Sequence, residues 1–202
     1  KPETCRGCPL HNISQSYSVP DGKGTLNIAI IGDKLEHEDG IDGKPFSPRS
    51  RGGSLLNQAF QRLGVTRSQF RLGNVVACQP PRNKLEGANF EIPAVQHCRP
   101  NFERVLPTRV TEGPDGNPVV ILAMGNSSLK ALTGASGVHK EKQSVNFLRG
   151  FVMRGRDGLV IPTFHPGFIR AGYMKYFGVF VRDLQRAIDV AQGRFYHRYF
   201  QN

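Results

Sequence analysis

Leu26-Asn-Ile-Ala-Ile-Ile31, closed by Gly32-Asp33-Lys34, is a short apolar run that ends in a glycine turn, the pattern of a strand buried on both faces. After it, residues 52–63 place Leu55, Leu56, Ala59, Phe60 and Leu63 on one helical face. The alternation repeats down the chain. Residues 70–77 read as a second strand and 92–106 as a helix; 119–123 read as a third strand, with a short helix at 127–132. Residues 159–163 form the fourth strand, and a long helix from about 173 to 192 keeps Phe177, Phe180, Leu184, Ala187, Ile188 and Ala191 in register. Strands separated by helices imply right-handed crossovers. The expected fold is therefore α/β, a three-layer α/β/α sandwich around a central, mostly parallel four-stranded sheet. A length of 202 residues fits one domain over 1–202. Ligands of such sheets bind at the carboxyl ends of the strands, which here are residues 32–34, 74–78, 125–127 and 163–166. The loop at 111–118 reads as a surface turn.

Lys plus Arg number 27 against 16 Asp plus Glu, for a net charge of +11, and a balance this basic favours a polyanionic partner such as nucleic acid. Lys140, Lys142, Arg149, Arg154, Arg156, Arg170 and Lys175 crowd the later half. The tail Arg194-Phe-Tyr-His-Arg-Tyr-Phe200 interleaves bases with aromatics, suited to stacking on single-stranded bases or to packing as a helix end. No P-loop or G-x-G-x-x-G occurs, which disfavours nucleotide-binding classes. The first ten residues are polar, and no apolar run approaches the ~20 residues needed to span a membrane. A monomeric, cytoplasmic protein without membrane association is expected, whether bacterial, archaeal or phage-encoded.

The four cysteines are Cys5-Arg-Gly-Cys8, Cys78 and Cys98. A basic chain without a secretory signal belongs in a reducing compartment, against structural disulfides. Cys5-x-x-Cys8 sits in a polar leader and not at a strand-to-helix turn, against a thioredoxin-like pair. Four thiolates suit either tetrahedral zinc or an iron–sulfur cluster, and the wide split between Cys78 and Cys98 tilts only modestly toward the cluster.

Several segments stand together in order: Cys5-Arg-Gly-Cys8-Pro-Leu10, Gly32-Asp-Lys-Leu-Glu36, Gly43-Lys-Pro-Phe46, Asn74-Val-Val-Ala-Cys78-Gln-Pro-Pro81, His97-Cys98-Arg-Pro100 and His165-Pro166. Each is weak alone, but in this order, over nearly the whole chain, they resemble the iron–sulfur branch of the uracil-DNA glycosylases, families 4 and 5. The resemblance implies the three-layer fold, hydrolysis of the N-glycosidic bond of uracil in single- or double-stranded DNA, and a structural 4Fe-4S cluster on Cys5, Cys8, Cys78 and Cys98. It implies that Gly32 and Phe46 shape the base pocket, Phe46 stacking on a flipped base, and that Asn74 reads the base edge. One orientation of a side-chain amide pairs with uracil O4 and N3–H and disfavours cytosine. His165 matches the histidine that stabilises the departing anion, and Asp33 the acid that supports an oxocarbenium-like sugar or positions water. Phe168, Ile169 and Arg170 follow the His-Pro pair and offer an apolar wedge and a DNA contact.

Two segments depart from the family. Gly32-Asp-Lys-Leu-Glu36 keeps an acid at its second position but loses the Ala-Pro-Gly of the family's Gly-Glu-Ala-Pro-Gly. The stretch Ser47-Pro-Arg-Ser-Arg-Gly-Gly53 is about two residues longer than its family counterpart, and its Arg49 and Arg51 are candidate phosphate clamps. Both border the expected pocket, so a modified pyrimidine, including a modified viral base, is an alternative substrate. A non-catalytic iron–sulfur domain that binds nucleic acid is the alternative from another class. No lysine matches a Schiff-base position, so a monofunctional enzyme without lyase activity is expected; Gly137-Val-His-Lys-Glu-Lys142 does not match the loop of the covalent DNA-trapping branch.

Overall fold

The computed structural model describes residues 1–106, 118–134 and 144–194. The loop at 111–117, the 137–142 segment with Lys140 and Lys142, and the tail from 195 lie outside the described residues. Among the described residues five strands form one sheet: β1 (Ile28–Lys34), β2 (Arg71–Val76), β3 (Val120–Met124), β4 (Met153–Arg154) and β5 (Leu159–Thr163), in the order β2-β1-β3-β5-β4. The four expected strands run parallel, and β4 adds a short antiparallel edge against β5. Two residues have no period, so nothing in the sequence announces β4. Every residue of β3 and β5 is buried, which explains their unbroken apolar runs.

The helices are α1 (Arg51–Arg62), α2 (Glu91–Glu103), α3 (Asn126–Thr133), α4 (Val145–Leu148), α5 (Pro166–Arg170) and α6 (Phe177–Ala191). α1, α5 and α6 pack together on one face of the sheet, while α2 lies on β2 and α3 on β1 and β3 across the other. α6 starts four residues later than its apolar pattern suggests, because Met174–Tyr176 form a 3-10 turn before it. Residues 16–21 run antiparallel along the free side of β2. Tyr17 bridges to Cys78, Asp21 bridges to Leu72, and Ser18 N–H donates to the Ala77 carbonyl at 2.8 Å. The leader thus covers an edge that would otherwise offer unpaired backbone. No helix among the described residues is long and apolar enough to cross a membrane.

The start of α1 brings two backbones into contact at the end of the sheet. Ser50 caps the helix, its Oγ accepting from Gly53 N–H at 2.9 Å. A Cβ on Gly53 would lie 1.9 Å from the Ser47 carbonyl oxygen and 2.3 Å from that of Phe46, and one on Gly52 would lie 3.2 Å from the Gly167 nitrogen. The two glycines therefore let α1 press against the Phe46 loop and α5. Gly53→Ala is expected to cost about 3 kcal/mol, since backbone must move to admit the methyl, with Gly52→Ala much milder; the shift in urea midpoint measures both.

Candidate active site

A cleft of about 360 Å³ opens at the carboxyl ends of β1 and β5, walled by Glu36, Asp39, Phe46, the first turn of α1, Asn83, His165 and α5. Its volume falls in the ~300–1,000 Å³ range of small-molecule sites. Gly52 and Gly53 of α1 and Gly167 of α5 are among its lining residues.

Phe46 holds the left-handed conformation, with φ of 52°, which is uncommon for a bulky residue and persists only where its surroundings enforce it. Here the enforcement is visible. Asp39 accepts from Phe46 N–H at 3.2 Å and Ser47 N–H at 2.9 Å. Arg67 donates to the Phe46 carbonyl at 2.8 Å and to that of Pro45 at 2.5 Å, while also pairing with Asp21 at 2.9 Å. Burial pushes the Asp39 carboxyl up to about 6, although those hydrogen bonds favour its charged form. The ring reaches the face of Gly32, where an added Cβ would meet Phe46 Cζ at 2.7 Å and the Asn74 side-chain amide at 2.4 Å. Only glycine fits at position 32 with both in place. Asn74 sits across from Gly32 in the β1–β2 register and is 4% exposed, so it lies beneath the cleft and not on its wall. Its amide is satisfied when the nitrogen faces the carbonyls of Gly73 and Lys34, each at 3.2 Å.

His165 ends the β5 segment and caps α5, its Nδ1 accepting from Gly167 N–H at 3.1 Å. An imidazole that accepts at Nδ1 carries its proton on Nε2 when neutral. Burial pushes this imidazole down to about 4, against an opposing pull from Glu36 and with some help from Lys34. The residue is thus a neutral N–H donor at the cleft, with its ring centroid 5.6 Å from that of Phe46.

The structure corrects the expectation for Asp33. Successive residues of a strand face opposite sides; Gly32 faces Phe46, so Asp33 points through the other face of the sheet. There its Oδ1 accepts from Ser128 N–H at 2.7 Å at the start of α3, and its Oδ2 would lie 2.1 Å from a Cβ on Gly125. Burial pushes the Asp33 carboxyl up to about 7. It does not line the cleft.

The acid that does is Glu36, which the motif comparison leaves without a role. Lys34 Nζ lies 2.7 Å from Glu36 Oε1, Asn83 Nδ2 donates to Glu36 Oε2 at 2.5 Å, and Lys34 donates to Asn83 Oδ1 at 3.1 Å. Burial raises the Glu36 carboxyl, but the Lys34 charge and the hydrogen bonds from Lys34 and Asn83 oppose it and hold the group below its ordinary value. Asn83 belongs to the Pro-Pro-Arg-Asn turn after Cys78, where Arg82 and Asn83 both have positive φ.

The DNA-facing candidates divide. Arg170 and Arg51 line the cleft, Arg51 paired with Glu38 at 2.7 Å. Arg49 is exposed on the adjoining loop, outside the cleft wall. Phe168 is 38% exposed and stacks on Tyr173 with centroids 4.1 Å apart. Ile169 is fully buried, which corrects its expected place in the wedge: neighbours on a helix lie ~100° apart, so one faces the core when the other faces out. Arg149 is likewise committed internally, to Asp183 at 3.0 Å.

Cys5, Cys8, Cys78 and Cys98, drawn from the leader, the end of β2 and α2, line one small cavity with Leu10, Val76 and Asn101. All four are free thiols. Ala77 N–H donates to Cys98 Sγ at 3.3 Å, and Asn101 Nδ2 lies 3.7 Å from Cys98 Sγ and 3.8 Å from Cys5 Sγ. Burial pushes the Cys98 thiol up to about 11 and raises that of Cys78. Among the described residues no three His, Cys, Asp or Glu side chains converge on the spacing of a single metal ion.

Comparison with known proteins adds the family. The model of the uracil DNA glycosylase superfamily matches residues 19–185, beginning after Cys5 and Cys8. A type-4 uracil-DNA glycosylase of Thermotoga maritima is 28% identical over 166 residues, 82% of this chain and 77% of that protein. One from Pyrobaculum aerophilum is 29% identical over 171 residues, 83% and 80% of the two chains. One from Sulfurisphaera tokodaii is 26% identical over 168 residues, 81% and 70%.

Proposed function

The chain belongs to the uracil-DNA glycosylase superfamily, and from that premise we propose that it hydrolyses the N-glycosidic bond of uracil in DNA. The type-4 uracil-DNA glycosylases it resembles carry that activity in their names. The observation that carries the reading is the hydrogen bond from Gly167 N–H to His165 Nδ1. It sets a neutral Nε2–H donor at the cleft, and a neutral donor stabilises a departing base anion through a bond that strengthens as charge develops. In this reading the target nucleotide leaves the stack and enters the cleft. Phe46 supplies the stacking surface, and Asn74, held against Gly32 beneath it, reads the edge of a base that reaches past the cleft wall, with N3–H, which cytosine lacks, as the donor it distinguishes. Gly32 keeps room for both side chains. Arg51, Arg170 and Arg49 meet the backbone, and Phe168 meets the gap in the stack. Among the described residues that line the cleft none is a lysine, and the Lys34 amine is tied to Glu36 and Asn83; in this reading the enzyme is monofunctional.

We also propose that Cys5, Cys8, Cys78 and Cys98 hold a 4Fe-4S cluster. Zinc would need four sulfurs 2.3 Å from one centre, hence ~3.8 Å from each other, whereas a cluster takes one thiolate at each of four irons and spreads them around a larger body. The donor set and the shared cavity fit the second arrangement. Its contribution is structural, joining the leader, β2 and α2 at the sheet edge.

The test is incubation with labelled strands carrying uracil, other deaminated bases or modified pyrimidines, followed by alkali to cleave abasic sites. Product from the uracil strand is expected. Product only from a modified pyrimidine would move the substrate to that class, in keeping with the altered 32–36 and 47–53 segments, and no product from any strand would leave a nucleic-acid-binding domain.

A further inference from the structure

A glycosylase that expels its base as an anion needs a negative charge on the sugar side, and Asp33 cannot supply it from the α3 face of the sheet. Glu36 stands at the cleft itself, its side chain 30% exposed and so open to a ligand. Each carboxylate oxygen already holds one donor, Lys34 Nζ on Oε1 and Asn83 Nδ2 on Oε2. Lys34 and Asn83 are bonded to each other, closing a triangle. An acid gripped at both oxygens from two directions is fixed in orientation, which is what electrostatic stabilisation requires. Lys34 itself is 8% exposed and does not line the cleft, so it acts through Glu36 as a positioning residue, as does Asn83.

We propose that Glu36, and not Asp33, is the catalytic carboxylate of this chain, an assignment that rests on the glycosylase reading above. As the C1′–N1 bond breaks, its electron pair leaves with the base, and positive charge spreads over C1′ and the ring oxygen. The Glu36 carboxylate stabilises that charge. One water adds through its oxygen to C1′, and its surplus proton passes to Glu36 and on to solvent. The base anion, held by His165 Nε2–H, takes a proton from solvent. The acid thus stands three residues beyond Asp33 in the same segment, with Lys34 and Asn83 as the supports that hold it.

Single-turnover release of uracil separates the two acids. Glu36→Gln is expected to slow it at least about 100-fold, with affinity for the uracil strand within about threefold of wild type, and added formate is expected to restore part of the rate to Glu36→Ala. Asp33→Asn, which keeps a cap on α3, is expected to stay within about threefold of wild type. A 5-fluorouracil strand, whose base is a better leaving group, sharpens the contrast: the Glu36→Gln deficit persists because it lies on the sugar side, while that of a His165 variant shrinks. A Glu36→Gln rate near wild type would overturn the assignment. So would a 100-fold loss in a folded Asp33→Asn protein, or a Glu36→Ala protein that formate does not rescue and whose binding falls in proportion to its rate. Wild-type protein inactive on every strand would instead sink the glycosylase reading, an outcome distinct from these.

Discussion

Replacing His165 by Asn is expected to lower single-turnover uracil release about 10³-fold while strand binding stays within about threefold, because the lost Nε2–H acts on charge that appears only in the transition state. Asn can still cap α5, its side-chain oxygen accepting from Gly167 N–H in place of Nδ1, so the loss is one of chemistry and not of α5. The substitution also leaves a mark on stability. The folded imidazole titrates near 4 because it is buried, whereas the unfolded one titrates near ~6.5. Between those values the unfolded chain binds the extra proton, so this residue makes the protein less stable as pH falls from about 6.5 toward 4 and does nothing above that window. Asp33 has the opposite sign. Its folded carboxyl is raised to about 7, so its contribution is full at low pH and fades as pH rises through that value. The two slopes oppose each other over the same range, and His165→Asn should unmask the one from Asp33: thermal melting temperatures of the variant should fall more steeply than those of wild type as pH is raised from 4 to 7. Unchanged release by a well-folded His165→Asn protein would remove the neutral-donor mechanism.

The sheet was legible because its strands are buried on both faces. Val120–Met124 shows no exposed residue, so its apolar run is unbroken and too short for a helix, and Gly125 marks its end. The face of α1 was legible for a similar reason: Leu55, Leu56, Ala59 and Phe60 are the residues its burial selects. The site was legible as a set of segments but not as directions. A motif names residues in order, while a strand alternates them, so Gly32 and Asp33 cannot both serve one pocket however well both match. Phe168 and Ile169 cannot share one exposed wedge for the same reason on a helix, and only Phe168 faces out. Glu36 had no signal because its role depends on Asn83, 47 residues later, which arrives only when β2 pairs with β1. The tautomer of His165 depends on α5, five residues long and too short to show a period.

Cys98→Ser is expected to be the most damaging single substitution for stability. Its sulfur belongs to a buried set that gathers three separate parts of the chain, and loss of a metal centre is among the few changes that cost more than ~4–5 kcal/mol. The protein should lose iron, sulfide and the visible absorbance of a cluster together, and melt well below wild type. The consequence then travels along the chain in a definite direction. Cys5 and Cys8 sit just before the segment that covers β2 through Tyr17, Ser18 and Asp21, so freeing the leader uncovers a sheet edge and invites proteolytic nicking ahead of residue 21. Cys78 stands five residues before Asn83, with Gln79 between them bonded to His37 at 3.2 Å and to Ser16 at 3.2 Å. A loosened Cys78 therefore loosens the turn that orients Glu36. Uracil release should fall further than the remaining folded fraction accounts for, even though no cysteine lines the cleft. A Cys98→Ser protein that keeps its iron and its melting temperature would dissolve the assignment. Stoichiometric zinc, without iron or sulfide, in wild-type protein purified anaerobically would replace the cluster by a single ion, and the four thiols would then have to close around it.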